Sequence, residues 1–198
     1  NSEGSVLVKA NSSNIGSLIT EGTISGIGDF EMEQYLTGAG GGTPSGLFWY
    51  TGSPITDATA ATYSVSGGNQ LWWADETTTS YPSVFAGSTV LNPMRGYVAR
   101  VGADGTFTFS GAAYNTGNIS NTNITRTGTT DANRGYNLMA NPYPSTLSWD
   151  DATKTNLETT FWYRTHQGTT MLYDAYNATS MVGTNNNGNG AITGDIPP

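Results

Sequence analysis

The residues that could carry out acid–base or nucleophilic chemistry are few in this chain. It has one histidine, His166, and no cysteine. Nucleophilic catalysis requires a base beside a serine, threonine or cysteine, yet His166 lies in YRTHQGT next to a glycine, and the sequence has no G-x-S-x-G elbow. Thiolate metal sites are excluded because they need cysteine. We therefore interpret His166 as a solvated turn residue and not as a catalytic base.

Paired carboxylates offer a second route to chemistry, because glycoside hydrolysis uses two acids that flank the scissile bond. The candidate pairs are Glu31/Glu33, Asp150/Asp151 and Asp75/Glu76. Glu31 and Glu33 are predicted to share one exposed face of a strand. Asp150 and Asp151 lie at the predicted start of a helix, where acidic residues are favoured. The third follows two tryptophans in WWADE, but adjacent carboxylates on an extended chain point to opposite sides. We predict no enzymatic activity and no catalytic residue.

Aromatic residues provide a stronger argument for binding, since Phe, Tyr and Trp make up 11% of the chain. Trp72 and Trp73 are adjacent, so on a strand they face opposite sides, one toward the core and the other outward or beneath a loop. An exposed ring could stack on a sugar while Gln70, Asp75 and Tyr81 bond its hydroxyls. The sequence predicts Trp72, Trp73, Asp75 and Tyr81 as a ligand-binding group, and the competing interpretation is that both tryptophans are packed.

The charge balance limits the kinds of partner. The net charge is −8, with only seven basic residues scattered along the chain, and nucleic-acid binding needs clustered cations. We expect no nucleic-acid partner, and no membrane insertion, because no apolar run reaches the roughly 20 residues that span a bilayer. Oxygen-rich loops (GADGT, NNNGNG, ITGDI) leave a structural calcium ion open. We predict no other cofactor and no metal site.

Short strand-like runs alternate with Gly, Asn, Pro and Ser throughout the sequence. About ten such strands predict an all-β fold, an antiparallel β-sandwich or jelly roll. We expect a single domain over residues 1–198, with residues 1–25 as an edge segment or the tail of a preceding domain.

Several local patterns make finer predictions. RGYVARVGADGTFTFSG predicts a hairpin that turns at ADG, with Phe107 and Phe109 inside. GSLIT, NISNTNITRT and GYNLMA predict strands, and SWDDATKTNLE predicts a short helical segment capped by Ser148 or Asp150. LTGAGGGTPSG and GTNNNGNGAITG predict loops.

ANPYPS predicts a rigid corner. Pro142 and Pro144 remove backbone donors and fix their own φ angles, so neither can lie within a central strand. The residue before a proline is held extended, which constrains Asn141 and Tyr143, and Asn141 can close an Asx-turn. We interpret Asn141, Pro142, Tyr143 and Pro144 as a structural corner that swings the chain from one sheet toward the other, in preference to a binding role for Tyr143.

The same residues carry a family resemblance. GYNLMANPYPSTLSWDD, then FWYRT and GDIPP, resembles a region of large secreted Bacteroidota proteins that ends in a type IX sorting domain. LFWYTGSPITDAT, PMRGYVARV and GTFTFSGAAYNTGNI resemble further blocks of that region. The sequence has no sorting domain and ends at Pro198, where the family continues into another strand. The resemblance implies a secreted, surface-attached protein of a Gram-negative bacterium, and it implies no enzymatic activity.

Together these observations predict a non-enzymatic domain that serves adhesion or extracellular structure. If the family's last strand is absent, an open sheet edge would accept a strand from another chain, so we expect homo-association or strand addition. The alternative is a carbohydrate-binding module of a protein that acts on polysaccharides.

Overall fold

The computed structural model describes residues 4–20, 24, 28–38, 47–63, 70–84, 86–121, 124–127, 135–167, 170–186 and 191–198. These residues form thirteen strands in five small sheets and contain no α-helix. Their one helical element is a 3₁₀ turn, Ala60–Tyr63. The prediction of an all-β fold built from short, mainly antiparallel strands is confirmed.

The strands are short, and most have two to four residues. They are β1 (Val6–Val8), β2 (Phe30–Leu36), β3 (Trp49–Thr51), β4 (Ile55–Thr56), β5 (Gln70–Trp73), β6 (Tyr97–Arg100), β7 (Gly105–Gly111), β8 (Ala113–Tyr114), β9 (Leu147–Ser148), β10 (Thr160–Gln167), β11 (Thr170–Asn177), β12 (Val182–Thr184) and β13 (Asp195–Ile196). The sheet orders are β1-β2-β7, β3-β6-β5, β10-β11-β12, β4-β8 and β9-β13. Among these described strands, only β1 and β2 pair in parallel.

The core lies between the β1-β2-β7 and β3-β6-β5 sheets, as in a sandwich. Strand β2 alternates as its sequence predicts and buries Phe30, Met32 and Leu36. These side chains belong to one cluster with Leu71 of β5 and Ala99 of β6. Each sheet therefore hides one apolar face against the other, which is the arrangement that period-2 patterning favours.

A long hairpin of β10 and β11 flanks this sandwich. Its eight-residue strands pair from Thr160↔Asn177 to Gln167↔Thr170. One face of β10 carries Trp162, Arg164 and His166, because side chains two residues apart share a face. That face lies against the edge strand β3, as the ring contacts below show. The opposite face packs on the C-terminal segment.

The predicted hairpin over RGYVARVGADGTFTFSG is wrong. Strand β6 pairs with β3 and β5, whereas β7 pairs with β2. The chain between them crosses from one layer to the other, with Val101 fully buried. Asp104 secures the crossing, since its Oδ1 accepts a hydrogen bond of 2.8 Å from the amide of Gly38 at the end of β2. Phe109 faces the core, and Phe107 packs against it.

The predicted helical segment after Trp149 is also wrong. Residues 149–152 form turns and a bend, in which Ser148 Oγ accepts a 3.4 Å hydrogen bond from the amide of Asp151. Lys154 Nζ donates to the carbonyls of Trp149 and Ala152, at 2.5 and 2.7 Å. These side-chain bonds satisfy carbonyls that a continuing helix would have paired with amides.

Three predicted strands are absent from the described residues. GSLIT is irregular, although the Leu18 amide donates to the carbonyl of Pro144 at 2.7 Å. GYNLMA contributes one isolated bridge, between Met139 and Arg95. The described part of NISNTNITRT has no strand. AGGGTPSG of the first predicted loop (residues 39–46) and NGNG of the second (residues 187–190) lie outside the described residues.

Candidate functional site

Trp72 and Trp73 point to opposite sides of β5. Trp73 aligns with Tyr97 of β6 and packs against the buried cluster. Trp72 aligns with Val98 and lies on the outer side, where its ring centroid is 5.9 Å from that of Phe48. Each tryptophan therefore belongs to a different surface, and the two cannot form one continuous stacking platform.

The outer side forms a cluster that we call the aromatic face. Its members are Phe48, Tyr50, Trp72, Tyr81, Arg164 and Tyr173. The Arg164 guanidinium carbon is 4.9 Å from the ring centroid of Tyr50 and 5.5 Å from that of Phe48. The hydroxyls of Tyr50 and Tyr173 are 3.3 Å apart. Because Tyr81 and Tyr173 remain 55% and 51% exposed, the face presents rings and phenols to solvent.

The phenol of Tyr50 stays protonated at neutral pH. Burial raises its pKa far above the usual 10.0, and the hydrogen bond with Tyr173 raises it further. Arg164 opposes these effects, and the nearby Tyr81 adds to them. The face therefore offers neutral hydroxyls, which can both donate and accept hydrogen bonds, beside one fixed positive charge.

Asp75 and Glu76 diverge. Asp75 Oδ1 accepts from the amide and hydroxyl of Thr77, at 3.0 and 2.6 Å, and these bonds lower its pKa. Glu76 is 7% exposed and accepts from the amides of Thr127 and Gly135, at 2.9 and 2.8 Å. The bonds from Thr127 are the largest cause of its lowered pKa. Asp75 therefore holds a turn and Glu76 anchors a remote loop, so the pair does not meet one substrate.

One acid of each remaining candidate pair also makes a structural bond. Glu33 Oε2 accepts a 3.0 Å hydrogen bond from the Ala10 amide, and Asp150 Oδ2 accepts one of 2.8 Å from the Tyr176 hydroxyl. In the part of the chain that the structure describes, no group of three or more His, Cys, Asp or Glu residues could hold a metal ion. Two of the loops considered for calcium use their carboxylates in hydrogen bonds. Asp104 of GADGT accepts from the Gly38 amide, and Asp195 of ITGDI accepts from the Thr193 hydroxyl.

The interpretation of His166 as a solvated turn residue is wrong. It lies within β10, and its ring centroid is 4.7 Å from that of Trp49. Burial and the neighbouring Arg164 lower its pKa. Its Nε2 atom is buried without a hydrogen-bond partner among the described residues. An uncharged imidazole that packs on an indole explains this position.

The ANPYPS corner is a junction between distant segments. Asn141 Oδ1 accepts from the amide of Tyr143 at 2.9 Å and closes an Asx-turn. Its Nδ2 donates to the carbonyls of Ser145, Ile196 and Pro197, at 2.7, 3.0 and 3.2 Å. The corner and the GDIPP segment are thus in direct contact, although 55 residues separate Asn141 from Ile196.

Three further bonds attach the corner to the chain after β8. The Tyr143 hydroxyl donates to the carbonyl of Gly117 at 2.7 Å and accepts from the amide of Ile119 at 3.1 Å. The carbonyl of Pro142 accepts a 2.8 Å hydrogen bond from the buried amide of Asn115. These long-range hydrogen bonds explain why the ANPYPS corner needs its particular residues. Tyr143 has a structural role in the fold.

On the core side of β5, a cleft of about 350 Å³ opens to solvent. We call it the Arg95 groove. Trp73, Val84, Val90 and Tyr97 form its apolar walls, and the Arg95 guanidinium carbon lies 4.7 Å from the Trp73 ring centroid. Sequence reasoning identified Trp73 and missed Arg95, whose only signal was its place in a proline-containing turn.

Comparison with protein-family models, curated proteins and solved structures returned no match. No helix within the described residues is long and apolar enough to cross a membrane. Any functional assignment therefore depends on the two surfaces described above and on the resemblance in the sequence.

Proposed function

We propose that this chain is a non-enzymatic domain of a secreted, surface-attached protein of a Gram-negative bacterium, and that it serves adhesion or extracellular structure. The observation that carries the proposal is the aromatic face. Exposed tyrosines beside a tryptophan and an arginine are the residue types that dominate binding energy at protein surfaces. The resemblance to secreted Bacteroidota proteins supports the location.

The use of the carboxylates supports a non-enzymatic role. Catalytic acids are positioned to meet a substrate, whereas Glu33, Glu76, Asp104 and Asp174 accept hydrogen bonds from backbone amides of other segments. These bonds give each of the four carboxylates a role in holding its neighbouring segment, which supports the proposal of a non-enzymatic domain.

Carbohydrate binding is the second candidate, and the arrangement of the tyrosines favours it. The Tyr50 and Tyr173 hydroxyls adjoin each other, and Tyr81 is near enough to raise the pKa of Tyr50. A sugar ring stacks its apolar side on an aromatic ring while its hydroxyls bond to polar groups around it. Phenols that stay neutral meet that need beside Trp72.

Titration with a glycan panel tests which partner the aromatic face accepts. Tyr81→Ala removes an exposed ring from the face. Tyr136→Ala is the matched control because Tyr136 is 56% exposed and contacts the Trp162 ring edge to face instead. Under the carbohydrate candidate, Tyr81→Ala and Trp72→Ala weaken glycan binding and Tyr136→Ala does not. Binding that survives both face variants would remove the face as the glycan site.

We further propose that association between chains proceeds through the β10-β11-β12 sheet. Its edges, β10 and β12, pair with no further strand among the described residues. Val182 begins β12 and Met181 precedes it, and these side chains are 58% and 70% exposed. Open, apolar edges accept strands from other chains.

Light scattering over a concentration series, with electron microscopy of the same samples, tests this association. Val182→Lys places a charge beside the β12 edge, so oligomers formed there should become smaller. A wild-type protein that stays monomeric at every concentration would refute association. Oligomers unaffected by Val182→Lys would place the contact elsewhere.

A further inference from the structure

A strained turn holds Arg95 in place at the groove. The Arg95 amide donates to the carbonyl of Asn92 at 3.3 Å, and Pro93 and Met94 occupy the centre of this turn. Met94 has φ 60°, a conformation that usually requires glycine. Such strain persists only where the surroundings enforce it, and it concentrates at binding and active sites.

Two neighbouring contacts supply that enforcement. The amide of Asn92 donates to the hydroxyl of Tyr97 at 2.9 Å. The Met94 carbonyl accepts a 3.1 Å hydrogen bond from the amide of Ala140. The turn backbone is therefore fixed on both sides, and the Arg95 side chain leaves it beside the Trp73 ring.

The charge of Arg95 is uncompensated within the described residues. Its side chain contacts the Trp73 ring and makes no ion pair there. A guanidinium stacked on an indole keeps its planar fork of donors, which matches the two oxygens of a carboxylate. Arg95 is the only cationic residue among those that line the groove, so a ligand with one negative charge fits better than a phosphate dianion.

The other polar groups of the groove indicate a ligand rich in hydroxyls. The side chains of Ser83, Thr89 and Asn92 line it and form no hydrogen bonds with other described residues. Two hydroxyls and one amide can donate and accept in turn, as sugar hydroxyls require. The apolar walls of the groove suit the C–H faces of a sugar ring.

We infer that the Arg95 groove binds a hexuronate unit of an acidic polysaccharide, with the sugar carboxylate on the Arg95 guanidinium. This inference goes beyond the adhesive role and names a ligand class for a surface separate from the aromatic face. The two proposals can therefore fail independently.

Calorimetric titration with trimers of galacturonate, glucuronate and mannuronate tests the inference. At least one trimer should bind wild type, and its methyl ester, which keeps the shape but lacks the charge, should bind about tenfold more weakly or worse, because hydrogen bonds to charged groups are the stronger ones. Arg95→Ala should cause a similar loss. Arg95→Lys should recover part of it, since it keeps the charge but lacks the planar fork.

Controls separate a local effect from misfolding and from the other surface. Thermal melting establishes that each Arg95 variant is folded, and the indole N–H resonance of Trp73 should shift on addition of the trimer. Trp72→Ala, on the aromatic face, should bind the trimer as wild type does.

Three outcomes would overturn the inference. They are the absence of binding by every trimer up to millimolar concentration, binding that survives Arg95→Ala, and tighter binding of a tetraglutamate peptide with the same dependence on Arg95. The last would assign the groove to acidic peptides.

Discussion

Asn141→Ala tests whether the corner holds the end of the β13 segment. The side chain is 5% exposed and makes four hydrogen bonds, one through Oδ1 and three through Nδ2. Nδ2 has two hydrogens for three carbonyls, so one hydrogen is shared and the bonds are not all of full strength. Pro197 is exposed, so its carbonyl can rebind water after the substitution, whereas Ser145 and Ile196 are half-buried residues.

These contacts set the expected magnitude. With about 1 kcal/mol for each hydrogen bond lost, and more for a buried group left unpaired, Asn141→Ala should lower the free energy of unfolding by about 2–4 kcal/mol. In a chain of this size, that corresponds to a fall in Tm of roughly 5–15 °C. Asn141→Asp should cost at least as much, because it places carboxylate oxygens against three carbonyls.

Urea unfolding followed by tryptophan fluorescence measures the effect, and Asn137→Ala is the control. Asn137 Nδ2 donates to the carbonyls of Thr125 and Gly135, but in more exposed surroundings, so its removal should cost about 1 kcal/mol or less. Hydrogen exchange should show faster exchange of the Asp195 and Ile196 amides in Asn141→Ala only. An Asn141→Ala protein as stable as Asn137→Ala would refute the role of the corner as a junction.

Three further substitutions test the local environments of β5 and the turn that follows it. Glu76→Gln should destabilise the protein at neutral pH, because Glu76 has a lowered pKa and so stabilises the fold in its ionised form. The difference in stability from wild type should shrink as the pH falls below 4.5, the ordinary pKa of a glutamate. Urea midpoints that differ from wild type by the same amount at neutral pH and below pH 4.5 would contradict this. Trp73→Ala should lower the free energy of unfolding by about 2–4 kcal/mol and Trp72→Ala by about 1 kcal/mol, since only Trp73 packs against the buried cluster. Calorimetric unfolding measures both values. Equal losses of stability would contradict the assignment of the two rings to opposite sides.

The sequence predicts strands better than it predicts their partners. In β2, the spacing of Phe30, Met32 and Leu36 is enough to identify a strand and its buried side. The same kind of pattern identifies β6 and β7, but a period of 2 says nothing about which strand lies alongside. The short ADG link favoured a hairpin, and the buried Val101 and the bond from Gly38 to Asp104 turned the chain to the other layer instead.

The candidate sites show the same limit. That Trp72 and Trp73 face opposite sides follows from strand geometry, but the neighbours of each ring do not. Arg164 reaches Tyr50 from β10, more than a hundred residues away in sequence, and Arg95 reaches Trp73 from a separate turn. The rigidity of Asn141-Pro142 is a local property and was predictable, whereas its contact with Ile196 depends on the tertiary fold.

The structural roles of the polar residues follow from the composition. A chain without cysteine cannot connect its loops by disulfides. Here carboxylates connect them instead, by accepting hydrogen bonds from amides that are distant in sequence. Asp174 is the clearest case, since it is fully buried and accepts from the Asn186 amide at 2.6 Å and from the Thr165 hydroxyl at 2.9 Å. Carboxylates placed in this way hold the fold together, and the recognition that we propose is assigned to the aromatic rings and to Arg95 and Arg164. A domain organised like this can bind through its surface, and substitutions in the binding residues should change affinity more than they change stability.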